Sequence, residues 1–109
     1  MGGGEKRADV RKRVKRYFLS GAADVDIEGI IRFSARRWGL DRTERYVAGL
    51  HEAFERIAVF PGIGSDASRL RLRYRQFPYA SHRIFYYELD DGIMIVRILH
   101  ERQLPENYL

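Results

Sequence analysis

The chain of 109 residues contains no cysteine. That excludes disulfide staples, thiol nucleophiles and Cys-ligated zinc, and it fits a reducing compartment. Lysine is confined to Lys6, Lys12 and Lys15, so cation chemistry in the rest of the chain falls to arginine and histidine. No apolar run approaches the roughly 20 residues of a membrane span, and no secretory hydrophobic region follows Met1. The expectation is a soluble, cytoplasmic protein with no membrane partner. His51 has no second His or Cys at helical spacing, so no metal ion and no cofactor is expected. A chain of this length buries one small core.

What is abundant is arginine, unevenly placed. Formal net charge is +5. Residues 1 to 16 hold seven Lys/Arg against Glu5 and Asp9, whereas residues 17 to 109 hold thirteen Arg and thirteen Asp/Glu. This predicts a basic, flexible N-terminal extension over 1–16 and one domain over 17–109. The extension reads either as a solvated tail or as a nucleic-acid arm, because clustered Lys/Arg supply sequence-independent phosphate affinity. Direct nucleic-acid binding is therefore a secondary expectation. From Ala67 to Tyr87 there are five arginines and no acid.

The pattern of apolar residues predicts the order β-α-α-β-β-β. Arg16–Leu19 reads as a first strand and Ser20 as the cap of a helix. Ala23, Ile27, Ile30, Ile31, Ser34 and Trp38 follow at helical spacing, which makes Trp38 a core residue, and Gly39 ends the helix. Asp41-Arg-Thr-Glu44 has the form of a capping box. It opens a second helix with Val47, Leu50, Phe54, Ile57 and Ala58 on one stripe, stopped by Phe60-Pro61-Gly62. Two helices joined by two or three residues form an antiparallel hairpin. Tyr46 is an ordinary exposed position on this reading, and Asp26 with Glu28 is no catalytic pair, since residues two apart on a helix diverge. Residues 62 to 68 read as a loop. The fold class is α+β, with the helical hairpin on one face of a small, mostly antiparallel sheet.

Three strands are expected over Arg71–Pro78, Ser81–Gly92 and Ile93–Arg102. Asp91-Gly92 reads as a type I′ hairpin turn. Counting outward pairs Leu89 with Met94, Tyr87 with Val96, Phe85 with Ile98 and Arg83 with His100. Alternation then gives an apolar face packed on the helices. The other face carries Glu88/Ile95, Tyr86/Arg97 and Ile84/Leu99, and its mixed character marks it as the expected partner surface. In the strand before it, Arg69, Arg71, Arg73 and Arg75 would share one face. That is either a seat for phosphates or carboxylates, through bidentate guanidinium forks, or a solvated strand face.

The ordered set Leu19-Ser20, Ala23, Asp26-Ile27, Ile30, Arg37-Trp38-Gly39, Ala53-Phe54, Phe60-Pro61, Gly64, Leu70-Arg71, Arg75, Phe77-Pro78, His82, Ile84-Phe85-Tyr86, Asp90-Asp91-Gly92, Ile95, Arg97-Ile98-Leu99-His100 and Arg102 resembles the ParE toxins of the RelE/ParE toxin–antitoxin superfamily. The resemblance runs from about Tyr17 to the C-terminus. Many relatives have glycine in place of Glu101 and an acid in place of Leu104, and the stretch before Tyr17 has no counterpart in typical members.

The resemblance implies a growth-inhibiting toxin silenced by a ParD-like antitoxin, in a hetero-oligomer, with DNA gyrase as target and its cleaved-DNA complex trapped. The alternative within the superfamily is a ribosome-dependent mRNA endoribonuclease of the RelE type. Such a nuclease needs groups that move protons and cations that meet phosphorane charge. Arg71, Arg73, Arg75, Arg83, Arg97, His100 and Tyr108 are at hand, but arginine stays protonated. Only His100, His82 or a carboxylate is then suited to proton transfer near neutrality. His100 reads either as that group or as a histidine packed at the sheet edge. The reading favoured is binding without catalysis, and no catalytic residue is assigned. Target-binding candidates are Arg71, Arg75, Arg83, Arg97, His100 and Arg102. Antitoxin-binding candidates are Arg73, Ile84, Tyr86, Ile95 and Leu99.

Overall fold

The computed structural model describes residues 16–109. Of the expected extension over 1–16, all but Arg16 lies outside the described residues. The elements are β1 (Arg16–Leu19), α1 (Gly21–Trp38), α2 (Leu40–Val59), β2 (Ser65–Asp66), β3 (Arg75–Tyr79), β4 (His82–Leu89) and β5 (Gly92–His100), with single 3-10 turns at Pro61–Ile63 and Pro105–Asn107. They form a five-stranded sheet of order β1-β5-β4-β3-β2, antiparallel except that β1 runs parallel to β5. The helical hairpin lies on one face, the α+β arrangement expected. The predicted loop over 62–68 also contributes β2, which pairs Ser65 with Gln76 and Asp66 with Arg75.

Local chemistry starts and stops the helices. The Ser20 hydroxyl oxygen accepts the Ala23 N–H at 3.0 Å and its hydroxyl donates to the Val96 carbonyl at 2.8 Å. One residue thus caps α1 and ties it to β5. Gly39, at φ 86, ends α1 and immediately precedes α2. The joint is a single residue, shorter than expected. The capping box at Asp41 does not form, because α2 starts at Leu40 and leaves Asp41 inside its first turn, and no side chain caps it. The Thr43 hydroxyl instead donates to the Gly39 carbonyl at 2.7 Å.

The core between helices and sheet gathers Ala23, Ile27 and Ile30 from α1, Leu50, Ala53, Phe54, Ile57 and Ala58 from α2, and Ile84, Tyr86, Ile93, Ile95 and Ile98 from the sheet. Burying each of the larger side chains is worth about 1.5–3 kcal/mol. This corrects the expected face assignment. Ile84, Tyr86 and Ile95 point at the helices, while Phe85 lies on the opposite face with Ala67 and Leu99.

The faces are exchanged because the Tyr86 hydroxyl finds buried partners at Pro61 and Gly64, and the hairpin register departs from the expected one at two points. The hairpin closes with Leu89 opposite Gly92, so Asp90 and Asp91 are the loop. Neither takes a positive φ, and the turn is not type I′. Gly92 is needed for another reason. It sits at φ 153 where β1 crosses, and a Cβ there would run into the Arg16 carbonyl. The second departure is a bulge. Tyr86 faces Ile95 but Phe85 faces Arg97, which leaves Val96 as an extra residue. Beyond it the alternation inverts, so Ile98 turns inward and Leu99 outward.

The segment expected to begin the second strand, at Arg71, is instead a closed turn, and β3 starts only at Arg75. Ala67 N–H donates to the Tyr74 carbonyl, Leu70 N–H to Ala67 and Tyr74 N–H to Arg71, each near 3 Å. Arg73 adopts φ 73, so Arg69, Arg71, Arg73 and Arg75 do not line one strand face. The gain is cover for the outer face of the sheet. Leu70 and Tyr74 fold onto Phe85 and Leu99 there, together with Val96 and Leu109, and Tyr74 stacks on Tyr87 at 5.9 Å. Among the described residues no helix is long and apolar enough to cross a membrane.

Candidate functional site

Two surfaces carry the candidate residues. The first is a cleft of about 750 Å³ between α1 and the far end of β4 and β5. Val25, Gly29 and Phe33 recur every fourth residue along the wall formed by α1, with Arg37 and Trp38 at its end. Ile30, Tyr46, His82, Ile98 and His100 lie deeper, and Glu101, Arg102 and Gln103 form the opposite rim. Apolar side chains are left open here, since Val25 is 60 % and Phe33 59 % exposed. Trp38 is also open, against the expectation of a core residue. Its ring meets Phe33 edge-on at 6.2 Å and Tyr46 at 6.4 Å, and the Arg42 guanidinium sits 4.9 Å from its centroid. It stands at the end of the hairpin, where the sheet no longer covers α1.

Histidines lie inside the cleft. The bulge sets His100 opposite His82 rather than opposite Arg83, whose partner is Leu99. The two rings meet edge to face, 5.3 Å between centroids. Tyr46, read as an ordinary exposed position, is half-buried. Its hydroxyl lies 2.6 Å from His82 Nδ1, and its carbonyl accepts the Tyr79 hydroxyl at 2.7 Å. Burial, then the nearness of His100, push His82 below the ordinary histidine value, with Asp26 and Glu101 opposing. Burial also raises Tyr46 and Tyr79 above the usual tyrosine value.

Asp26 is what the helix count overlooked. It accepts from Arg97 Nη2 at 2.7 Å and Nε at 2.8 Å, and its Oδ2 accepts the Ile98 N–H at 2.9 Å. β1 pairs with β5 only as far as Ile95, so beyond it the side chain of Asp26 replaces a missing strand. The bidentate pair raises Arg97 above its ordinary value. Arg97 also donates to the Tyr108 carbonyl at 3.2 Å and lies 5.4 Å from the Tyr108 ring. It is a clasp joining α1, β5 and the C-terminal segment.

The second surface is the turn over 68–74. Arg69, Arg71 and Arg73 are exposed on it, and Leu72 is 79 % exposed. Arg69 has a loose, exposed ion pair with Glu106 at 3.8 Å. Arg71, Arg73, Arg75, Arg83 and Arg102 form no ion pair among the described residues. Arg75 donates to the Gly64 carbonyl at 2.7 Å. Arg83, on the outer face, donates to the Gln103 carbonyl at 3.1 Å and lies 5.5 Å from the Phe85 ring.

The expected target set therefore divides. Arg71 and Arg75 belong to the turn, Arg83 to the outer face, Arg97 to the clasp, and His100 and Arg102 to the cleft. In the expected antitoxin set, Arg73 is exposed, but Ile84, Tyr86, Ile95 and Leu99 are 0 % exposed. The first three are core and Leu99 belongs to the outer cluster, so none offers a surface to a partner. Tyr86 shows why the apparent polarity misled. Its hydroxyl donates to the Pro61 carbonyl at 2.6 Å and accepts the Gly64 N–H at 2.9 Å, deep in the fold. A Cβ on Gly64 would collide with that hydroxyl. Val25, Gly29 and Phe33 were legible as a stripe of spacing four, one face round from Ala23 and Ile27. Among the described residues no group of three His, Asp or Glu is placed to hold a metal ion.

A family model described as the ParE toxin of the type II toxin–antitoxin system parDE matches residues 17–105. The chain belongs to the ParE toxin family. It is 40 % identical over 88 residues to Toxin ParE1 of Mycobacterium tuberculosis, an alignment covering 80 % of this chain and 90 % of that protein. It is 35 % identical over 88 residues to Toxin ParE1 of Caulobacter vibrioides, covering 81 % and 91 %. A solved structure of the chromosomal ParDE toxin–antitoxin system from P. aeruginosa superposes with a TM-score of 0.68 at 13 % identity, over 82 % of this chain and 98 % of that one. That likeness concerns the fold. As a ParE toxin of a type II system, the protein has an antitoxin as its partner.

Proposed function

We propose that this toxin inhibits DNA gyrase by stabilising its cleaved-DNA complex, and that a ParD-like antitoxin silences it by lying in the cleft between α1 and the end of β5. The observation that carries the second half is the open apolar wall of Val25, Gly29 and Phe33 beside arginines. An amphipathic, acidic segment complements that combination. Arg71 and Arg73, exposed and in no ion pair among the described residues, are the candidates for contact with an acidic or DNA-bearing target surface.

Binding without catalysis fits the dispersal of the cations. A nuclease gathers its arginines around the group that moves the proton, whereas Arg71, Arg75 and Arg83 lie away from the cleft that holds His100. One observation favours the RelE-type reading, a ribosome-dependent mRNA endoribonuclease: His82, His100 and Tyr46 meet in one cleft with Arg37 and Arg102 at its edge.

A supercoiling and DNA-cleavage assay with purified toxin and gyrase, run beside in-vitro translation, separates the two. The expected result is lost supercoiling with accumulating cleaved DNA and intact translation. Positioned mRNA cuts with gyrase untouched would overturn the proposal.

A further inference from the structure

The histidine pair sits where an occupant of the cleft must pass, and its surroundings determine how it can respond. The cleft around it is lined by Asp26 and Arg37 from α1, Tyr46 from α2, and Ser81, Glu101 and Arg102 at the strand ends, while Tyr79 of β3 pairs with His82; Asp26 and Glu101 act on His82 electrostatically. Asp26 is already engaged by three hydrogen bonds to Arg97 and the Ile98 amide. Among the remaining charges lining the cleft are Arg32, Arg37 and Arg102 against Glu101. The lining is thus net positive before either histidine takes a proton, and it favours an acidic occupant.

Within the pair, His100 Nδ1 accepts the Arg102 N–H at 3.1 Å, which leaves the proton of the neutral ring on Nε2. The same bond disfavours a metal-bridging role, since Nδ1 is used as an acceptor and Nε2 keeps its proton. His82 has the Tyr46 hydroxyl at 2.6 Å on one side and the His100 ring edge-on at 5.3 Å on the other. A proton on one ring therefore repels a proton on the other, in a setting short of free carboxylates. An occupant that brings its own carboxylates removes that restraint.

We propose that the His82–His100 pair makes the cleft proton-sensitive, so that an acidic, apolar antitoxin segment binds more tightly as pH falls from about 8 to about 6. This rests on the reading of the cleft as the antitoxin's seat. Binding takes up protons, and alkalinisation loosens the complex. An occupant that only desolvated the rings would do the reverse, because burial without a counter-charge expels protons from imidazole.

The test is calorimetric titration of the full chain with its purified full-length antitoxin, at about pH 6 and about pH 8, in two buffers of different ionisation enthalpy. The wild type is expected to bind about three- to tenfold tighter at the lower pH, with net proton uptake. The double variant His82→Gln/His100→Gln should bind with less than about twofold dependence on pH, losing the uptake. Should that variant misfold, histidine ring NMR of the wild type decides. A cleft histidine must titrate at higher pH in the complex than in the free toxin.

Affinity that is flat or weakens on acidification, or an unchanged pH dependence in the folded double variant, overturns the proposal. Phe33→Glu distinguishes this failure from failure of the seat itself. If Phe33→Glu abolishes binding while the histidine variant keeps the wild-type pH profile, the seat stands and proton sensitivity falls. If Phe33→Glu binds as wild type, the antitoxin lies elsewhere and both readings fall.

Discussion

The two faces of the sheet are both apolar, yet they are covered by different kinds of structure. On the inner face, two helices of 18 and 20 residues bring Phe54, Leu50 and Ile57 down onto Ile84, Tyr86 and Ile95. On the outer face, a turn and the C-terminal segment supply Leu70, Tyr74 and Leu109 over Phe85 and Leu99. Helices bury a continuous stripe, whereas irregular segments bury a few side chains and leave their polar residues outside. The candidate partner surfaces follow from this difference. The cleft opens where the helical cover ends, at Phe33 and Trp38, and the exposed arginines belong to the turn that covers the outer face.

Large-to-small substitutions measure the contrast most strongly. Phe54→Ala should lower unfolding free energy by about 4 kcal/mol, and Phe85→Ala by about 3 kcal/mol, in urea titrations followed by circular dichroism. A larger loss for Phe85 than for Phe54 would show that the outer cluster, not the helical interface, is the principal core.

The clasp between the two covers should come next. Asp26→Asn removes the charge that holds Arg97 and weakens the acceptor for Ile98, at an expected cost of about 2–3 kcal/mol. Arg97→Ala should cost a similar amount, and a double-mutant cycle should return most of the coupling. This revises the simplest reading of Arg97 as a target contact, because a loss of toxicity on its replacement would include loosening of the C-terminal segment. Additive effects in the cycle would mean that Asp26 and Arg97 do not stabilise the fold through each other.

A smaller effect distinguishes the cleft end of the inner face from its centre. His82 is held below the ordinary histidine value near 6.5, so the unfolded chain binds more protons as pH falls through that range. Stability of the free toxin is then full above the ordinary value and declines below it. His82→Gln should flatten that decline in thermal melts taken across the range. Tyr17, Tyr46, Tyr79 and Tyr86 are raised. The unfolded chain loses those protons first, and stability should fall again as pH rises past the ordinary tyrosine value of 10.0. Unchanged melting above that value would place these hydroxyls in water.

Much of the architecture was legible because it is local. Ser20, Gly39 and the apolar stripes of both helices act over three or four residues, and so does the turn at Asp90-Asp91-Gly92 to within one position. What was illegible depends on distant contacts. A single extra residue at Val96 inverts the strand alternation, and nothing in a period-two pattern announces it. Arg-Leu-Arg-Tyr-Arg over 71–75 alternates as a strand would, yet closes into a turn because Phe85 and Leu99 need cover. Asp26 reads as a helix-surface acid until β5, 71 residues later, brings Arg97 to it. Site residues suffered most, since an apolar residue meant for a partner and one meant for the core look alike in sequence.

On the proposed reading the cleft receives the antitoxin while the basic turn serves the target. Growth arrest by induced toxin, with and without co-expressed antitoxin, tests it directly on Phe33→Glu and on the pair Arg71→Ala/Arg73→Ala. Phe33→Glu should arrest growth as the wild type does and no longer be rescued by antitoxin, while the arginine variant should fold, bind antitoxin and fail to arrest growth. Full rescue of Phe33→Glu would remove the antitoxin from the cleft, and undiminished arrest by the arginine variant at equal expression would remove the target from the basic turn.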